Sequence, residues 1–169
     1  FVARQDDDDR SLPSRIERQL NFLELNTDML FVGTNGFLLG ETRKRYATTS
    51  KPAADKDIRS RMRKHNQFIH TSILMRKSAV DSVGGYDVNF RTAQDYELWL
   101  RLLEKGAAAN LEEPLVELFQ GGNRISKKHA RKQVEASLRA KWKNRKGSVL
   151  KNAPWYLFWW QLRGLLIPP

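Results

Sequence analysis

Cysteine is absent from the 169 residues, which excludes disulfide bonds and metal sites built on thiolates. The three histidines do not share a metal-binding spacing. The sequence also lacks a glycine-rich phosphate loop and the serine–histidine–aspartate or cysteine–histidine arrangements of nucleophilic catalysis. No signal peptide is visible. These absences are compatible with a reducing compartment, and we expect a cytoplasmic protein.

Long apolar runs are scarce as well. The most apolar stretch, residues 154–167, is shorter than the roughly 20 residues needed to span a bilayer. Its aromatic side chains follow a lysine-rich segment, a pattern typical of a helix that lies on an anionic membrane surface. Such a helix would make the protein peripheral at the inner face of a membrane. The alternative is that these side chains fold back onto the core.

Positive charge is concentrated in the second part of the chain. The formal net charge is +11, and residues 124–151 contain many lysines and arginines but the single acid Glu135. Residues 1–30 are acid-rich by contrast. We therefore predict one α/β domain over residues 1–123 and a basic, aromatic helical tail over residues 124–169. A surplus of this sign favours polyanions, among which nucleic acid is the less favoured partner.

Four consecutive aspartates, Asp6 to Asp9, follow the apolar residues 1–3. Unit charges of one sign repel by about 1 kcal/mol at 4 Å in bulk water, and by more when partly buried. A cation among the carboxylates relieves this repulsion, and hard oxygen ligands suit Mg²⁺ or Mn²⁺. The alternative is a solvated acidic turn. The quartet is predicted to lie between a short strand and a helix, in the kind of loop that binds ligands in open α/β sheets.

Hydrophobic periodicity predicts an α/β fold. Helical spacing predicts helices over residues 15–25, 55–64, 77–83, 92–105 and 126–146. Strand-like composition predicts strands over residues 29–34, 65–76 and 114–119. Residues 37–39 either follow a tight turn at Asn35-Gly36 or continue the first strand as one kinked strand. Residues 41–56 are predicted to be a loop, and one of Gly84 and Gly85 to have a positive φ.

Several motifs occur in a fixed order along residues 1–126. Residues 3–9 read ARQDDDD and are followed by Pro13, Arg15 and Gln19. Residues 84–90 read GGYDVNF, and residues 93–101 read AQDYELWLR. Together with the segments FIHTS at 68–72 and NLEEPL at 110–115, this order resembles the second half of the family 2 glycosyltransferases.

The resemblance implies a fold as well as an activity. The family has the GT-A fold, a Rossmann-like α/β sandwich that binds nucleotide sugars. Here the N-terminal nucleotide-binding half has no counterpart, because only five residues precede Asp6. We therefore expect a partial GT-A fold with a C-terminal helical tail, from a longer enzyme or a truncated copy. On its own, such a part is expected to bind a sugar nucleotide poorly.

The resemblance also implies roles for the acidic loop. Asp6 and Asp8 match the family's DxD pair, which holds a divalent cation, Mn²⁺ or Mg²⁺, against a nucleoside diphosphate sugar. Arg4 belongs to the same donor-binding stretch, and Asp9 is a further candidate ligand. Asp7 stands where the family usually has a small residue, which leaves the register of the metal ligands open.

Asp95 matches the general base of the inverting members of the family. A positioned carboxylate of this kind takes the proton of the attacking hydroxyl. Gln94 stands where those members often have glutamate. Considered by itself, Asp95 is equally an ordinary acid in the first turn of a helix, where the helix dipole favours negative charge.

Three further residues are candidates for contacts with acceptor or phosphate. His70 faces either a ligand or a hydrogen-bond partner inside the protein. Trp99 lies on the apolar face of its helix, where core packing competes with sugar stacking. Arg101 pairs either with a phosphate or with an acid.

These patterns favour a metal-dependent glycosyltransferase fragment that transfers a sugar from a nucleoside diphosphate to a saccharide or other hydroxyl acceptor, with inversion. The alternative function is a non-catalytic basic module, or a degenerate copy, that binds anionic lipid or nucleic acid through its tail.

Overall fold

A mixed β-sheet carries the loops that matter for function. The computed structural model describes residues 1–121, 130–151 and 153–154. Within these residues the sheet consists of β1 Val2–Ala3, β2 Arg10–Ser11, β3 Met29–Leu39, β4 Arg45–Thr48, β5 Leu74–Met75 and β6 Ala107–Phe119. Helices pack on it, and the α/β fold predicted from the sequence is confirmed.

The strand order places two distant loops at one edge of the sheet. The order is β1-β5-β3-β6-β2, with β4 paired to β3. β5 runs antiparallel to β1 and to β3, whereas β3 and β6 are parallel. The carboxyl end of β1 therefore lies beside the amino end of β5. The acidic loop follows β1, and residues 70–72 precede β5, so both lie at the same edge.

Five described α-helices complete the fold: α1 Arg15–Leu25, α2 Asp55–Met62, α3 Lys77–Ser82, α4 Gln94–Leu103 and α5 Ala130–Lys143. The predicted helices over 15–25, 55–64, 77–83 and 92–105 are confirmed, although α2, α3 and α4 end one or two residues earlier than expected and α4 begins two residues later. Gly84 and Gly85 both have positive φ, +76° and +68°. The start of the predicted basic helix and nearly all of the aromatic stretch 154–167 lie outside the described residues. No helix in the described part is long and apolar enough to cross a membrane.

Two sequence predictions are wrong. Only Leu74–Met75 of the predicted strand 65–76 is extended in the sheet, and His70–Ser72 form a 3₁₀ turn. The reason is local hydrogen bonding, because the amides of Gln67 and Phe68 bond to side chains of Met62 and Asn66. The predicted loop 41–56 contains β4, whose exposed side chains give no hydrophobic alternation.

The central strand resolves the question of the turn at Asn35-Gly36. β3 is one strand, and its pairing with β6 shifts register between Thr34 and Gly36. A kinked strand, not a hairpin, is therefore correct for residues 29–39. β6 also begins well before residue 114, so its first half pairs with β3 through residues 107–111.

An aromatic core fills the space between the sheet and α4. The ring centroids of Phe31 and Trp99 lie 5.0 Å apart, and those of Phe31 and Phe68 4.8 Å apart. Trp99 is fully buried. Gly33 on β3 faces Asn110 on β6 across the ladder, and a Cβ atom at Gly33 would lie 2.3 Å from Asn110 Oδ1.

We predict that Gly33→Ala lowers the free energy of unfolding by about 1–3 kcal/mol, because the added methyl group overpacks the contact with Asn110. The measurement is chemical denaturation. Gly40→Ala is the matched control, since its Cβ would meet nothing closer than 3.9 Å, and we expect it to change stability by no more than about 0.5 kcal/mol. Equal effects of the two variants would contradict the packing described here.

Candidate active site

A buried arginine anchors the acidic loop to the fold. Arg15 on α1 is only 1% exposed. Its guanidinium donates to the carbonyl oxygens of Arg4 and Ile73 at 2.8 and 3.2 Å. It also donates to Gln5 Oε1 and Ser11 Oγ at 3.0 and 2.6 Å. Burial lowers the pKa of Arg15 to about 10, so the side chain remains a cation at neutral pH.

Two more polar side chains fix the acidic loop against the 3₁₀ turn. Gln19 Oε1 accepts from Arg15 Nε, and Gln19 Nε2 donates to the carbonyl oxygens of Val32 and Ser72, both at 2.8 Å. The amide of Asp6 donates to Thr71 Oγ1 at 2.9 Å. Because Thr71 is 1% exposed, this bond is shielded from water. Asp6 is thereby held beside His70.

Arg4, Asp6, His70, Tyr86 and Asp95 form one group, which we call the His70 cluster. His70 Nε2 lies 2.8 Å from Tyr86 Oη, and His70 Nδ1 lies 4.0 Å from Asp6 Oδ2. The guanidinium of Arg4 pairs with Asp6 Oδ1 and is close enough to Tyr86 to lower the pKa of its phenol, against the larger effect of burial. Asp95 is close enough for its charge to act on both His70 and Tyr86. The fold thus brings residues from four separate segments together.

The electrostatics of the cluster follow from its partial burial. Burial lowers the pKa of His70, and Arg4 adds to this effect, while the charges of Asp95 and Asp6 oppose it without cancelling it. Burial likewise raises the pKa of Tyr86, so its phenol stays protonated. Near neutral pH the cluster therefore combines one cation and two carboxylates with a neutral imidazole. The surplus of negative charge suits an added cation.

Asp95 lies in the first turn of α4, after Ala93, which has a φ of +55°. Asn66 Nδ2 donates to Asp95 Oδ2 at 2.7 Å. Asp95 and Asn66 line a cavity of about 370 Å³. The other wall of this cavity includes Gln133 and Ser137 of α5. A carboxylate oriented by an amide at the edge of a polar cavity is suited to accept a proton.

The other aspartates of the quartet have different surroundings. Asp8 is exposed and lines a separate cavity of about 160 Å³ together with Arg10, Arg43 and Glu117. Asp9 Oδ1 accepts from the amide of Phe119 at 3.0 Å. Asp6 is therefore the member of the predicted metal-binding pair that shares surroundings with Asp95.

The side chains of the acidic loop could hold a metal ion only together with oxygen atoms from a bound ligand. In the described part of the chain, no group of three or more histidine or acidic side chains could hold a metal ion. Mg²⁺ is commonly bound by one or two carboxylates together with substrate phosphates. Asp6 supplies an oxygen of this kind, and Asp8 would have to turn away from its own cavity to share with Asp6 a cation that arrives with phosphates.

Two of the candidate residues are engaged in the internal packing and ion pairing of the protein. Trp99 is fully buried among Phe31 and Phe68, and stacking on a sugar would need an exposed face. Arg101 pairs with Glu97 and donates to two backbone carbonyls, so its guanidinium contacts an acid and not the cavity. For Trp99 the structure therefore shows core packing, and for Arg101 it shows pairing with an acid, which are the alternatives to ligand contact that the sequence left open.

Tyr86, Thr71 and Asn66 were not among the residues predicted for the site. Thr71 and Asn66 interrupt a segment that sequence pattern assigns to a buried strand, and such polar interruptions are a usable signal. Tyr86 follows the two glycines, and only the tertiary fold shows that its hydroxyl reaches His70.

Comparison with known proteins identifies the group to which this arrangement is related. AmsE of Erwinia amylovora, an amylovoran biosynthesis glycosyltransferase, is 30% identical over 81% of this chain and 51% of its own length. EpsE of Bacillus subtilis, a putative glycosyltransferase, is 34% identical over 76% of this chain and 46% of its own length. This chain is a homologue of glycosyltransferases.

Other relatives agree. WbnJ of Escherichia coli, an O-antigen biosynthesis glycosyltransferase, is 33% identical over 62% of this chain and 40% of its own length. The chain therefore spans about half the length of the first relatives it matches. No protein-family model matches it.

We predict that Thr71→Val releases the acidic loop of this glycosyltransferase homologue. The valine keeps the shape of the side chain but leaves the Asp6 amide without its acceptor, which corresponds to a net loss of about 1 kcal/mol. Amide hydrogen exchange at Asp6 should then be about fivefold faster. Thr71→Ser, which keeps the hydroxyl, should exchange like the wild type. Unchanged exchange in Thr71→Val would contradict the role of Thr71.

Proposed function

We propose that this chain is part of a family 2 glycosyltransferase with a GT-A fold, which transfers a sugar from a nucleoside diphosphate to a hydroxyl acceptor with inversion. The observation that carries the proposal is the convergence of Asp6 and Asp95 on His70. Two carboxylates from distant segments then act on one imidazole, and we assign Asp6 to the donor and Asp95 to the acceptor.

The acidic loop is the donor side. Asp6 and Asp8 would hold Mn²⁺ or Mg²⁺ together with the phosphates of the donor, and Arg4 would add a positive charge for the same phosphates. When bound, the cation supplies Lewis-acid stabilisation of the diphosphate that departs. The neutral His70 and the Tyr86 hydroxyl offer hydrogen bonds to the donor without adding charge.

The cavity beside Asp95 is the acceptor side. The acceptor hydroxyl would lie against Asp95 Oδ1 and lose its proton to it, while Asn66 holds Oδ2. A general base of this kind contributes about 10²–10⁴-fold to the rate. Direct attack of that hydroxyl on the anomeric carbon inverts its configuration. Gln133 and Ser137 line the same cavity with neutral polar groups, which suits a saccharide.

The relatives support a saccharide acceptor. AmsE and WbnJ are named for the biosynthesis of amylovoran and of O-antigen. By analogy, we infer that the acceptor here is a growing saccharide.

Peripheral contact with anionic lipid is a second candidate property, favoured by the surface of α5. Trp142 is 65% exposed, and the guanidinium of Arg145 lies 4.4 Å from the centroid of its ring. An exposed aromatic beside basic side chains is typical of membrane-surface helices.

We predict that Asp95→Asn lowers sugar transfer by about 10²–10⁴-fold, because the amide cannot take the proton of the acceptor. Asp6→Asn should weaken the metal-dependent binding of nucleoside diphosphate. The measurements are diphosphate release from a panel of nucleoside diphosphate sugars with Mn²⁺ or Mg²⁺, and calorimetry with the nucleoside diphosphate.

The matched control is Asp81→Asn, an exposed aspartate on α3 that pairs with Lys77. This variant should transfer sugar like the wild type. Full turnover by Asp95→Asn, or nucleotide binding by Asp6→Asn that keeps its metal dependence, would contradict the proposed roles.

A further inference from the structure

A buried acid on α4 holds together three parts of the molecule. The side chain of Glu97 is fully buried. Arg101 Nε lies 3.0 and 2.9 Å from the two Glu97 carboxylate oxygens, and Arg101 Nη2 lies 2.6 Å from Oε2. Lys143 of α5 donates to Glu97 Oε1 at 2.6 Å and to Asp87 Oδ2 at 2.8 Å. A buried carboxylate is tolerated only with such pairing.

The remaining donors of Arg101 hold the turn after α3. Arg101 Nη1 donates to the carbonyl of Val83 at 2.5 Å, and Nη2 to that of Gly85 at 2.7 Å. The rigid fork of a guanidinium can reach both carbonyls and the carboxylate at once, whereas a lysine ammonium cannot.

In the described part of the chain, Arg101 holds the carbonyl side of this turn, and Lys143 holds Asp87 on its downstream side. The amides of Gly84 and Gly85 bond back to carbonyls of α3, which leaves the carbonyl side to Arg101. Among the described residues, a Cβ atom at either glycine would meet nothing within 4 Å, so the turn is not restrained by packing at these two positions. Both glycines have a positive φ. Because glycine lacks a Cβ atom, its backbone can adopt this conformation and others at little cost.

The residue that follows the turn belongs to the His70 cluster. Tyr86 is half-exposed, and its hydroxyl lies 2.8 Å from His70 Nε2. Because the ring is attached directly to the turn, the direction of the hydroxyl depends on the conformation of Gly85. A displacement near 1 Å would break this bond, since polar atoms about 3.6 Å or more apart do not form a hydrogen bond.

We propose that Arg101 is a positioning residue, which fixes the Gly84-Gly85 turn so that Tyr86 is directed at His70 beside Asp6 and Asp95. The effect of Arg101 on sugar transfer rests on the proposed function, whereas its effect on the turn and on the direction of Tyr86 does not. A residue on the far side of α4 thereby sets the geometry of the cluster without touching a ligand.

The test is the ¹⁵N chemical shift of His70 Nε2 in the full chain, measured at a fixed pH where the imidazole is neutral. Tyr86→Phe removes the hydroxyl and defines the shift change that accompanies loss of the bond. Arg101→Gln should give at least half of that change. Arg101→Lys keeps a cation beside Glu97, and it should also shift the signal, because one ammonium cannot reach both carbonyls.

Arg76→Gln is the matched control. Arg76 also donates to backbone carbonyls, those of Met29 and Leu23, but it contacts no member of the cluster. This variant should keep the wild-type shift. If Arg101→Gln does not fold, Arg101→Lys decides. A wild-type His70 shift in folded Arg101→Lys would overturn the proposal, and because no donor is used, that outcome is independent of whether sugar transfer occurs.

Discussion

The buried hydrogen bonds of Arg15 and Gln19 are the constraint on which the rest of the site depends. These side chains lie one turn apart on α1 and bond to each other. Together they satisfy the carbonyls of Arg4, Ile73, Val32 and Ser72, which belong to the acidic loop, the segment before β5, the central strand and the 3₁₀ turn. An unsatisfied buried polar group costs about 1–3 kcal/mol, so this arrangement admits few alternatives. Asp6 and His70 follow the placement of these carbonyls.

The consequence of this arrangement for function lies in the charges that it places around His70. The fold places one arginine and two carboxylates around an imidazole that burial keeps neutral. A neutral histidine does not compensate the negative charge of the carboxylates. The cluster therefore keeps a net negative charge that attracts cations, and a carboxylate that can accept a proton. Charge and geometry are both compatible with the chemistry we propose, in which a phosphate leaving group departs from one side and a hydroxyl is deprotonated on the other.

Sequence pattern predicted the parts of the fold that are governed by periodicity. The amphipathic helices α1 and α4 follow the spacing of their apolar residues, and the glycine pair predicted a turn with a positive φ. It failed where side chains replace backbone partners, as at Asn66 and Met62, which keep residues 67–68 out of the sheet. The candidate site was predictable in part, since Asp6, Asp95 and His70 were named from their motifs. The contribution of Tyr86 was not, because its contact with His70 depends on how the tertiary fold places the Gly84-Gly85 turn beside the 3₁₀ turn.

The claim that Asp6 and Asp95 border one cation- and phosphate-binding space is tested most directly by paramagnetic broadening. Mn²⁺ is added to ¹⁵N-labelled protein together with inorganic pyrophosphate, and the loss of amide signals is mapped. The account predicts selective loss at Asp6, Thr71, Tyr86 and Asp95, and the same titration of Asp6→Asn should leave these signals sharp. Broadening centred on another acidic surface, such as Glu112-Glu113, with the signals of the His70 cluster unaffected, would contradict it.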